Sequence, residues 1–444
     1  MFLGKIRAAA KTFTQHIFIT LEFFLGNGLA NHAAAGAYGF LLSAAPMLLL
    51  VSFFLIRAFR AAPESAVALL QSVPFLDAAF DYQWPALDFL IAAPPGLPAV
   101  VSLLGLLWAG RIFAVAIQRG LKVVFAGPKR RNPLKDNLVT LAIEFLLLAL
   151  TLAAMLGSRT AMRLYDAAGF LPEAVLAHFP AGVFGHALFR LAALGLVLYL
   201  AYRAIPANPP AKLPALWGSV FCVALYGLVA AALGMMLGQP RYNFIYGALG
   251  DLAVALVSVY FFFLCFLLGA QFAAVAGGFD TLFFLRLREA RSSPAGKSFD
   301  PWRGLFSRAD GRLEKYRRTY QKGETVLSKG DDADGVYFLL EGEVEVLLPP
   351  GEGPDEASAP SSVGTLKPGS FIGEMGYLLS EERSATIVAK TDAAALELPH
   401  AMFGEIVGSD SGLDKAIIEN LSRRIKKGNE RIAALSGPGR GETT

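Results

Sequence analysis

Six long apolar segments constrain this chain more than any other feature of its sequence. A helix needs about 20 residues to cross a hydrocarbon core of roughly 30 Å. Hydrophobic residues make up 55% of the chain and charged residues only 17%, which is too apolar for one soluble globule. We therefore predict an integral membrane protein with six transmembrane helices. The segments lie at about 33–56, 97–126, 137–157, 184–205, 214–238 and 244–277.

Basic residues cluster beside the apolar segments and predict how the helices are oriented. The loop between the second and third segments reads GPKRRNPLKDN, and Arg286, Arg288 and Arg291 follow the sixth segment. Cytoplasmic loops carry an excess of Lys and Arg, so these loops and both termini are predicted to face the cytoplasm. We expect the three arginines after the sixth segment to lie at the lipid surface.

The chain is predicted to contain flanking segments on either side of the membrane domain. Lys5, Arg7 and Lys11 precede the amphipathic stretch TFTQHIFITLEFF, which favours a helix on the cytoplasmic membrane surface. We divide the chain into a surface helix at 1–30, a six-span membrane domain at 31–278, a basic helical linker at 279–318, a second domain at 319–436 and a disordered tail at 437–444.

The second domain has the composition of a soluble protein and a different periodicity. Short alternating runs such as GVYFLLEGEVEVLL and RSATIVAKT, separated by glycine turns, predict an antiparallel β-roll. After His400 an apolar stripe at helical spacing predicts a closing helix. The predicted fold class is multi-domain: an all-α six-helix transmembrane bundle plus an α+β cytoplasmic domain, which is an antiparallel β-roll with flanking helices.

The most specific motif reads FIGEM at 371–375 and RSAT at 383–386. A glycine lets the backbone approach a ligand closely, and an arginine followed by Ser and Thr offers donors suited to a phosphate. Together with the roll pattern, the motif resembles the phosphate-binding cassette of cyclic-nucleotide-binding domains of the catabolite activator and protein kinase A regulatory type. The resemblance implies that this domain binds a cyclic mononucleotide.

The resemblance also implies roles for single residues. Arg383 would pair with the cyclic phosphate, and Glu374 would accept a hydrogen bond from the ribose 2′-hydroxyl. Ser384 and the Ala385 amide would donate to the phosphate, and Gly373 would permit the close turn. The alternative is a roll that has lost its ligand, in which Arg383 and Glu374 merely pair with each other. The implied nucleotide-binding residues are Phe371, Ile372, Gly373, Glu374, Met375, Arg383, Ser384, Ala385, Thr386 and Asn429.

The base is left open between two nucleotides. The resemblance to bacterial activators places Gly428 and Asn429, on the closing helix, where adenine is contacted. Asn429 can both donate and accept a hydrogen bond there, which favours cAMP. Gly428 beside it can do neither, and Ser384 could favour the guanine of cGMP. We expect cAMP in preference to cGMP as a regulatory ligand, and no cofactor.

Three membrane stretches carry a second resemblance. HAAAGAYGFLLSAAPMLLLVSFF, LYLAYRAIPANPPAKLPALWGSVF and IYGALGDLAVALVSVYFFFLCFLLGAQFAA contain, in this order, Ser-x-x-Pro, Tyr-Arg-x-x-Pro, and Tyr-Gly with Gly-Ala. They resemble the YihY/BrkB family of six-helix bacterial inner-membrane proteins. The resemblance implies a bacterial inner-membrane location and transport of lipids, envelope precursors or small molecules. Where the family usually has Gly-Ala-Glu, this chain has Gly269, Ala270 and Gln271.

Polar side chains inside the apolar segments are the candidate residues of the membrane domain. A charge at a helix centre costs about 2.5–3.5 kcal/mol on insertion scales, so something must offset it. Either Arg111 with Glu144 and Arg190 with Asp251 line a polar cavity, or these groups pair structurally and snorkel to the interface. The cavity candidates are Arg111, Glu144, His186, Arg190, Asp251 and Gln271.

Two functions fit these patterns. The first is a transporter controlled by a cyclic nucleotide, and the second is a non-transporting receptor or scaffold that signals to a partner. The five histidines and two cysteines show no metal-ligand spacing, so we predict no metal, no catalytic residue and no enzyme, and a ribonuclease is disfavoured. A net charge of +4 gives no argument for nucleic acid. The expected partners are the nucleotide, membrane lipids and an unidentified transported substrate; a homo-oligomer is left open.

Overall fold

Helices make up the first part of the chain and two antiparallel sheets follow them in the computed structural model. The chain divides into two compact units, Met1–Gln15 with Gly278–Thr444, and His16–Gly277. A helical region followed by an antiparallel β domain confirms the predicted multi-domain layout. The structure describes residues 2–57, 97–127, 132, 134–140, 142, 181–237, 241–292, 303–306, 311–348, 361–379 and 381–409.

Long helices coincide with most of the predicted spans. By length and composition, two helices of the described residues are apolar enough to cross a membrane, Lys212–Met236 and Ala253–Gly277. The count of six spans stays a prediction, and most of the third predicted span lies outside the described residues. The helices are α1 Phe2–Gly26, α2 Leu29–Arg57, α3 Leu97–Val124, α4 Ala181–Ala204, α5 Lys212–Leu237 and α6 Arg241–Gly277, and residues 134–140 are also helical.

The helical unit is built around α6, which packs against α2 and α5. Gly218 of α5 lies so close to α6 that a Cβ atom there would be 2.6 Å from the Gly269 carbonyl oxygen. The two glycines therefore allow the backbones of α5 and α6 to touch, as small residues do in membrane helices. Tyr202 of α4 donates to the Phe266 carbonyl at 2.7 Å, which satisfies its buried hydroxyl.

The C-terminal unit contains the predicted β-roll. Its two antiparallel four-stranded sheets have the strand orders β1-β8-β3-β6 and β2-β7-β4-β5. In the second sheet β4 and β5 pair along their whole length, and Leu348 faces Ser361 where the hairpin opens. The strands are β1 Arg317–Tyr320, β2 Thr325–Leu327, β3 Gly335–Glu341, β4 Val344–Leu348, β5 Ser361–Leu366, β6 Phe371–Ile372, β7 Thr386–Ala389 and β8 Ala393–Pro399.

Short helices cover the roll. One helix, α7, begins one residue after α6 and buries Phe279, Phe283, Phe284 and Leu287 within the C-terminal unit. Its Thr281 hydroxyl donates to the carboxylate of Glu405 at 2.7 Å. The helices of this unit are α7 Phe279–Ser292, α8 Arg303–Phe306, a 3-10 turn at Gly311–Tyr316, α9 Glu374–Leu379 and α10 His400–Ser409.

The arginines of α7 make contacts that the sequence did not predict, while their place at a lipid surface stays a prediction. Arg291 donates to the Leu340 carbonyl of β3 at 2.8 Å. The guanidinium of Arg288 lies 6.0 Å from the ring centre of Phe371. Arg286 pairs with Glu289 on α7 itself. The apolar face of α7 packs against the roll, and the side chains of Arg288 and Arg291 contact the roll as well.

The first part of α1, up to Gln15, belongs to the same unit. Gln15 is buried, and its amide donates to the Leu305 carbonyl of α8 at 2.7 Å. Nearby, Phe306 of α8 packs against Phe283 of α7, with ring centres 5.7 Å apart. The predicted helix near the N-terminus is therefore present, and its placement on a membrane surface stays a prediction.

Candidate functional site

The motif FIGEM forms a tight turn between β6 and α9. Gly373 sits at the turn with a φ of +78°, a conformation that side chains other than glycine rarely adopt. A Cβ atom at this position would be 2.6 Å from Nη1 of Arg383. Glycine is therefore required twice here, by the backbone angle and by the close approach of the arginine.

Arg383 is the central side chain of the site. It is only 5% exposed, although arginine is rarely buried without a partner. Its Nη1 donates to the Gly373 carbonyl at 2.8 Å and its Nη2 to the Gly335 carbonyl at 2.6 Å. Nε is buried and has no hydrogen-bond partner among the described residues. Two neutral carbonyls thus fix the guanidinium in place.

The main chain of Arg383 is held as firmly as its side chain. Its amide donates to the Asp331 carbonyl at 3.0 Å, and its carbonyl accepts from the Gly330 amide at 2.9 Å. These two bonds tie the backbone of Arg383 to the turn between β2 and β3, so the side chain starts from a fixed point. The arginine is preorganised for whatever it binds.

Glu374 places a carboxylate in the same turn. It begins α9 and is 8% exposed. A buried carboxylate can accept a hydrogen bond from a hydroxyl group, whereas a guanidinium can only donate. Arg383, which bonds to the Gly373 carbonyl, can bind an anion, and Glu374, the next residue after Gly373, can accept from a hydroxyl group.

The other predicted binding residues divide into two groups. Ser384 is exposed, Met375 and Ala385 are partly exposed, and the Thr386 hydroxyl accepts from the Lys329 amide at 3.2 Å. Phe371 and Ile372 instead belong to the interior. Ile372 is buried in the core of the roll, and the Phe371 ring packs 5.1 Å from Phe338 and 5.5 Å from Phe403. Their side chains hold the turn, while Asn429 lies outside the described residues.

Sequence reasoning missed one contributor to the site, the Gly335 carbonyl, which accepts from Arg383. Tyr337 lies two residues further along β3. Burial raises the pKa of Tyr337, its neighbour Glu397 raises it further, and Arg383 acts in the opposite direction. The Tyr337 hydroxyl donates to Glu397 at 3.3 Å. The one sequence feature near Gly335 that could have pointed to it is the acidic run DDAD at 331–334, and such a run indicates a turn and not a binding site.

The membrane candidates are only partly described. Arg111 donates to the side-chain oxygen of Asn137 at 2.7 Å. Gln271 is buried, and its Oε1 has no hydrogen-bond partner among the described residues. His186 and Arg190 lie on α4 and Asp251 lies on α6, but their side chains are outside the described part, as is the whole of Glu144. The two predicted charge pairs therefore stay predictions.

Metal ligation has no support within the described ranges. There, no group of three or more His, Cys, Asp or Glu side chains lies close enough together to hold an ion. The buried polar atoms of the C-terminal site are a guanidinium and a carboxylate, which suit an organic anion with a hydroxyl group better than a cation.

Comparison with known families assigns both parts of the chain. Residues 20–279 match the family model for virulence factor BrkB, and residues 317–410 match the cyclic nucleotide-binding domain. The second match contains Gly335, Gly373, Glu374 and Arg383, so the site described above lies wholly within it.

Known proteins resemble the C-terminal domain over a limited length. The cAMP-activated global transcriptional regulator Vfr of Pseudomonas aeruginosa is 27% identical over 125 residues, which are 27% of this chain and 56% of that one. Glutaminase 1 of Bradyrhizobium diazoefficiens is 36% identical over 108 residues, 24% of this chain and 16% of that one. The crystal structure of Thermus thermophilus catabolite activator protein shows 25% identity, with a TM-score of 0.25, over 27% of this chain and 54% of that one. The chain spans about half the length of the regulators it matches.

Proposed function

Because the chain belongs to the virulence factor BrkB family and carries a cyclic nucleotide-binding domain, we propose that it is a transporter controlled by a cyclic mononucleotide. The membrane domain has six spans, lies in the bacterial inner membrane and keeps both termini in the cytoplasm. Its substrate is a lipid, an envelope precursor or a small molecule. The nucleotide is cAMP in preference to cGMP.

Nucleotide binding is supported most strongly by the state of Arg383. A buried charge without an opposite partner is costly, and removing it from water is offset only when an anion completes its hydrogen bonds. Arg383 has an Nε with no partner among the described residues, yet its position is fixed by Gly373 and Gly335. A cyclic phosphate would accept a hydrogen bond from this Nε and place a negative charge beside the guanidinium. The Glu374 carboxylate would then accept from the ribose 2′-hydroxyl.

The preference for cAMP has separate support. Vfr and the similar regulators are described as cAMP-activated, and they match this chain over its C-terminal domain. Asn429 would meet the adenine from the closing helix, because an amide can donate and accept at once.

Regulation would pass through α7. This helix follows α6 after a single residue, and its Phe284 lies 6.2 Å from Phe371, which immediately precedes the turn at Gly373. Arg288 of α7 also faces the Phe371 ring. A change in the turn on nucleotide binding would therefore be felt by the helix that continues from α6. Coupling between two such sites is typically 1–3 kcal/mol.

A receptor that does not transport is the second candidate. It is favoured by the contact between α3 and the helical residues 134–140, where Gln118 is 6% exposed and Thr140 is 2% exposed. These side chains hydrogen-bond to each other at 2.9 Å, so this polar pair is sealed rather than facing water.

Binding is tested with the full chain in lipid nanodiscs and isothermal titration with cAMP and cGMP. We expect cAMP to bind more tightly, and Arg383→Gln to weaken it about 10- to 150-fold, since a charge-assisted phosphate contact contributes about 1.5–3 kcal/mol. Arg318→Gln is the matched control, because Arg318 is an exposed arginine of the same domain that pairs with Glu397. Folded protein that takes up neither nucleotide would support the roll that has lost its ligand.

Transport is tested in liposomes with a headgroup-labelled fluorescent phospholipid and an external quencher. A transporter of lipids changes the rate of quenching when cAMP is added, and Arg383→Gln abolishes that response. If quenching matches protein-free liposomes while cAMP still binds, lipid transport is excluded and the receptor gains support.

A further inference from the structure

One side of α3 carries an apolar stretch followed by a cationic one. Leu104 and Trp108 are 59% and 73% exposed, and Ile112 is exposed one turn further on. Arg119 and Lys122 are exposed beyond them. These five residues follow each other at intervals that keep them on one side of a helix, whereas Phe113 and Leu121 on the opposite side are buried. We call Leu104, Trp108, Ile112, Arg119 and Lys122 the α3 stripe.

Hydrogen bonds fix a second helical segment along the edge of the stripe. Arg111 donates to Asn137 at 2.7 Å, Thr140 donates to Gln118 at 2.9 Å, and Lys122 pairs with Asp136 at 2.6 Å. Because these three bonds join α3 to the segment 134–140, the two helices have little freedom to move relative to each other. The edge of the stripe is therefore a built surface rather than a single exposed helix.

The second segment repeats the pattern of the stripe. Leu134 and Leu138, one turn apart, are both exposed, and Lys135 between them is exposed as well. In the described residues of this surface the cations are Arg111, Arg119, Lys122 and Lys135, and the carboxylate is Asp136, which leaves an excess of positive charge. An apolar surface that carries excess positive charge complements a molecule with an anionic head and apolar chains.

The length of the stripe selects among such molecules. Leu104 and Arg119 are separated by about 22 Å along the helix axis, at a rise of 1.5 Å per residue. Half of a bilayer measures about 20–22 Å when its headgroups are included. A single phospholipid therefore spans the stripe from its phosphate to the ends of its acyl chains.

We propose that the α3 stripe and the neighbouring segment 134–140 form a binding site for one anionic phospholipid. Arg119 receives the phosphate, because a guanidinium can bind it with two parallel hydrogen bonds, and Lys122, which pairs with Asp136, lies one turn further along the same side. The acyl chains lie against Ile112, Trp108 and Leu104. A zwitterionic phospholipid carries an ammonium group that the excess positive charge repels, so it binds more weakly. This site requires that α3 lie in a membrane, but it requires neither transport nor nucleotide binding.

The site is tested on the full chain in detergent, without nucleotide, by native mass spectrometry after titration with phosphatidylglycerol or phosphatidylcholine. We expect phosphatidylglycerol to be retained preferentially. Arg119→Gln should lower its affinity about five-fold, as expected for one basic residue at an anionic membrane surface. Trp108→Gln should lower the affinity for both lipids, because it interrupts the apolar part of the stripe.

The matched control is Lys212→Gln, which removes an exposed cation at the start of α5. Its retention of phosphatidylglycerol should equal that of the unaltered chain. Equal retention of both lipids, or an equal loss in Arg119→Gln and Lys212→Gln, would overturn the proposal. So would a change in the number of protein copies per complex with lipid retention unaltered, since the stripe would then be a contact between two chains. Thermal unfolding of each variant confirms that it is folded.

Discussion

Phe284 of α7 meets Phe338 of β3 edge to face, with ring centres 5.0 Å apart. Both rings are buried, and the Phe371 ring lies beside them at 6.2 Å from Phe284. The helix that follows the last membrane segment therefore forms part of the interior of the nucleotide-binding domain. A fragment that begins after α7 would expose the faces of Phe338 and Phe371 that this helix covers.

We expect residues 278–444 to be more stable than residues 308–444 in urea unfolding. In the longer fragment, Phe284→Ala should lower the free energy of unfolding by about 3–5 kcal/mol, as for other large aromatic truncations in a core. Leu379→Ala is the control, because Leu379 is exposed and its loss should change stability by less than about 0.5 kcal/mol. Equal midpoints for the two fragments would show that α7 does not stabilise the roll.

Three glycine substitutions separate backbone strain from the clash with Arg383. In Gly373→Ala the new methyl group suffers both backbone strain and the clash. Gly369 has a φ of +91° but open space around it, so Gly369→Ala introduces strain alone. Gly364 has open space and no positive φ, so Gly364→Ala introduces neither. Strain of this kind costs about 1–3 kcal/mol, so Gly373→Ala and Gly369→Ala should both lower stability. Only Gly373→Ala should also weaken cAMP binding, by ten-fold or more, because the guanidinium must move. Equal affinities for the Gly373 and Gly369 variants in calorimetry would contradict this.

The C-terminal domain should lose stability at alkaline pH. Burial raises the pKa of Tyr320 from 10.0 to about 12, and the hydrogen bond to Asp280 raises the pKa of Lys315. Both groups bind their protons more tightly in the folded protein. Their contribution to the free energy of unfolding is therefore fully present below the unfolded pKa and is lost as pH rises through the folded pKa. For Tyr320 this window runs from pH 10.0 to about 12. Across this pH window the free energy of unfolding should fall less steeply with pH in Tyr320→Phe than in the unaltered protein. An equal dependence on pH in the two proteins would show that Tyr320 does not cause the loss of stability.

Thr140→Val should destabilise the membrane domain by leaving Gln118 without its buried donor. Hydrogen bonds between membrane helices contribute about 0.5–2 kcal/mol. The double variant Gln118→Leu with Thr140→Val should cost less than the sum of the single variants, since the Gln118 oxygen is then absent instead of lacking its donor. Ser258→Ala serves as the control, because its hydroxyl bonds only within its own helix, to Val254. Thermal unfolding in detergent measures the stability of the two single variants, the double variant and the control. If the losses of stability in the two single variants add up to the loss in the double variant, the two side chains act independently.

The roll and its turn were predictable because their signals are local. Strand alternation, glycine turns and the cluster from Gly373 to Arg383 lie in one stretch of sequence, and each follows from backbone geometry. The docking of α7 was not predictable in the same way. Phe279, Phe283, Phe284 and Leu287 form an apolar face that would suit a lipid surface as well as a protein core, and a single sequence does not distinguish the two.

Partners of buried polar groups were the hardest to infer. A charge-based argument pairs Arg111 with Glu144, and that pair stays a prediction; the bond from the guanidinium to the neutral side chain of Asn137 was not expected. Arg383 likewise bonds to two backbone carbonyls, which leave no trace in the sequence because every residue carries one. Charge patterns identify which side chains need a partner, and backbone geometry decides which atom provides it.

The hairpin of β4 and β5 offers a place to convert the protein into an optical indicator. Leu348 and Ser361 are register partners, so the end of β4 and the start of β5 lie about 5 Å apart. A circularly permuted fluorescent protein, whose own termini are adjacent, could be inserted there without pulling the strands apart. Its emission would then report cyclic nucleotide concentration at the membrane in living cells, with the Arg383→Gln variant as a reference that carries the same fluorophore.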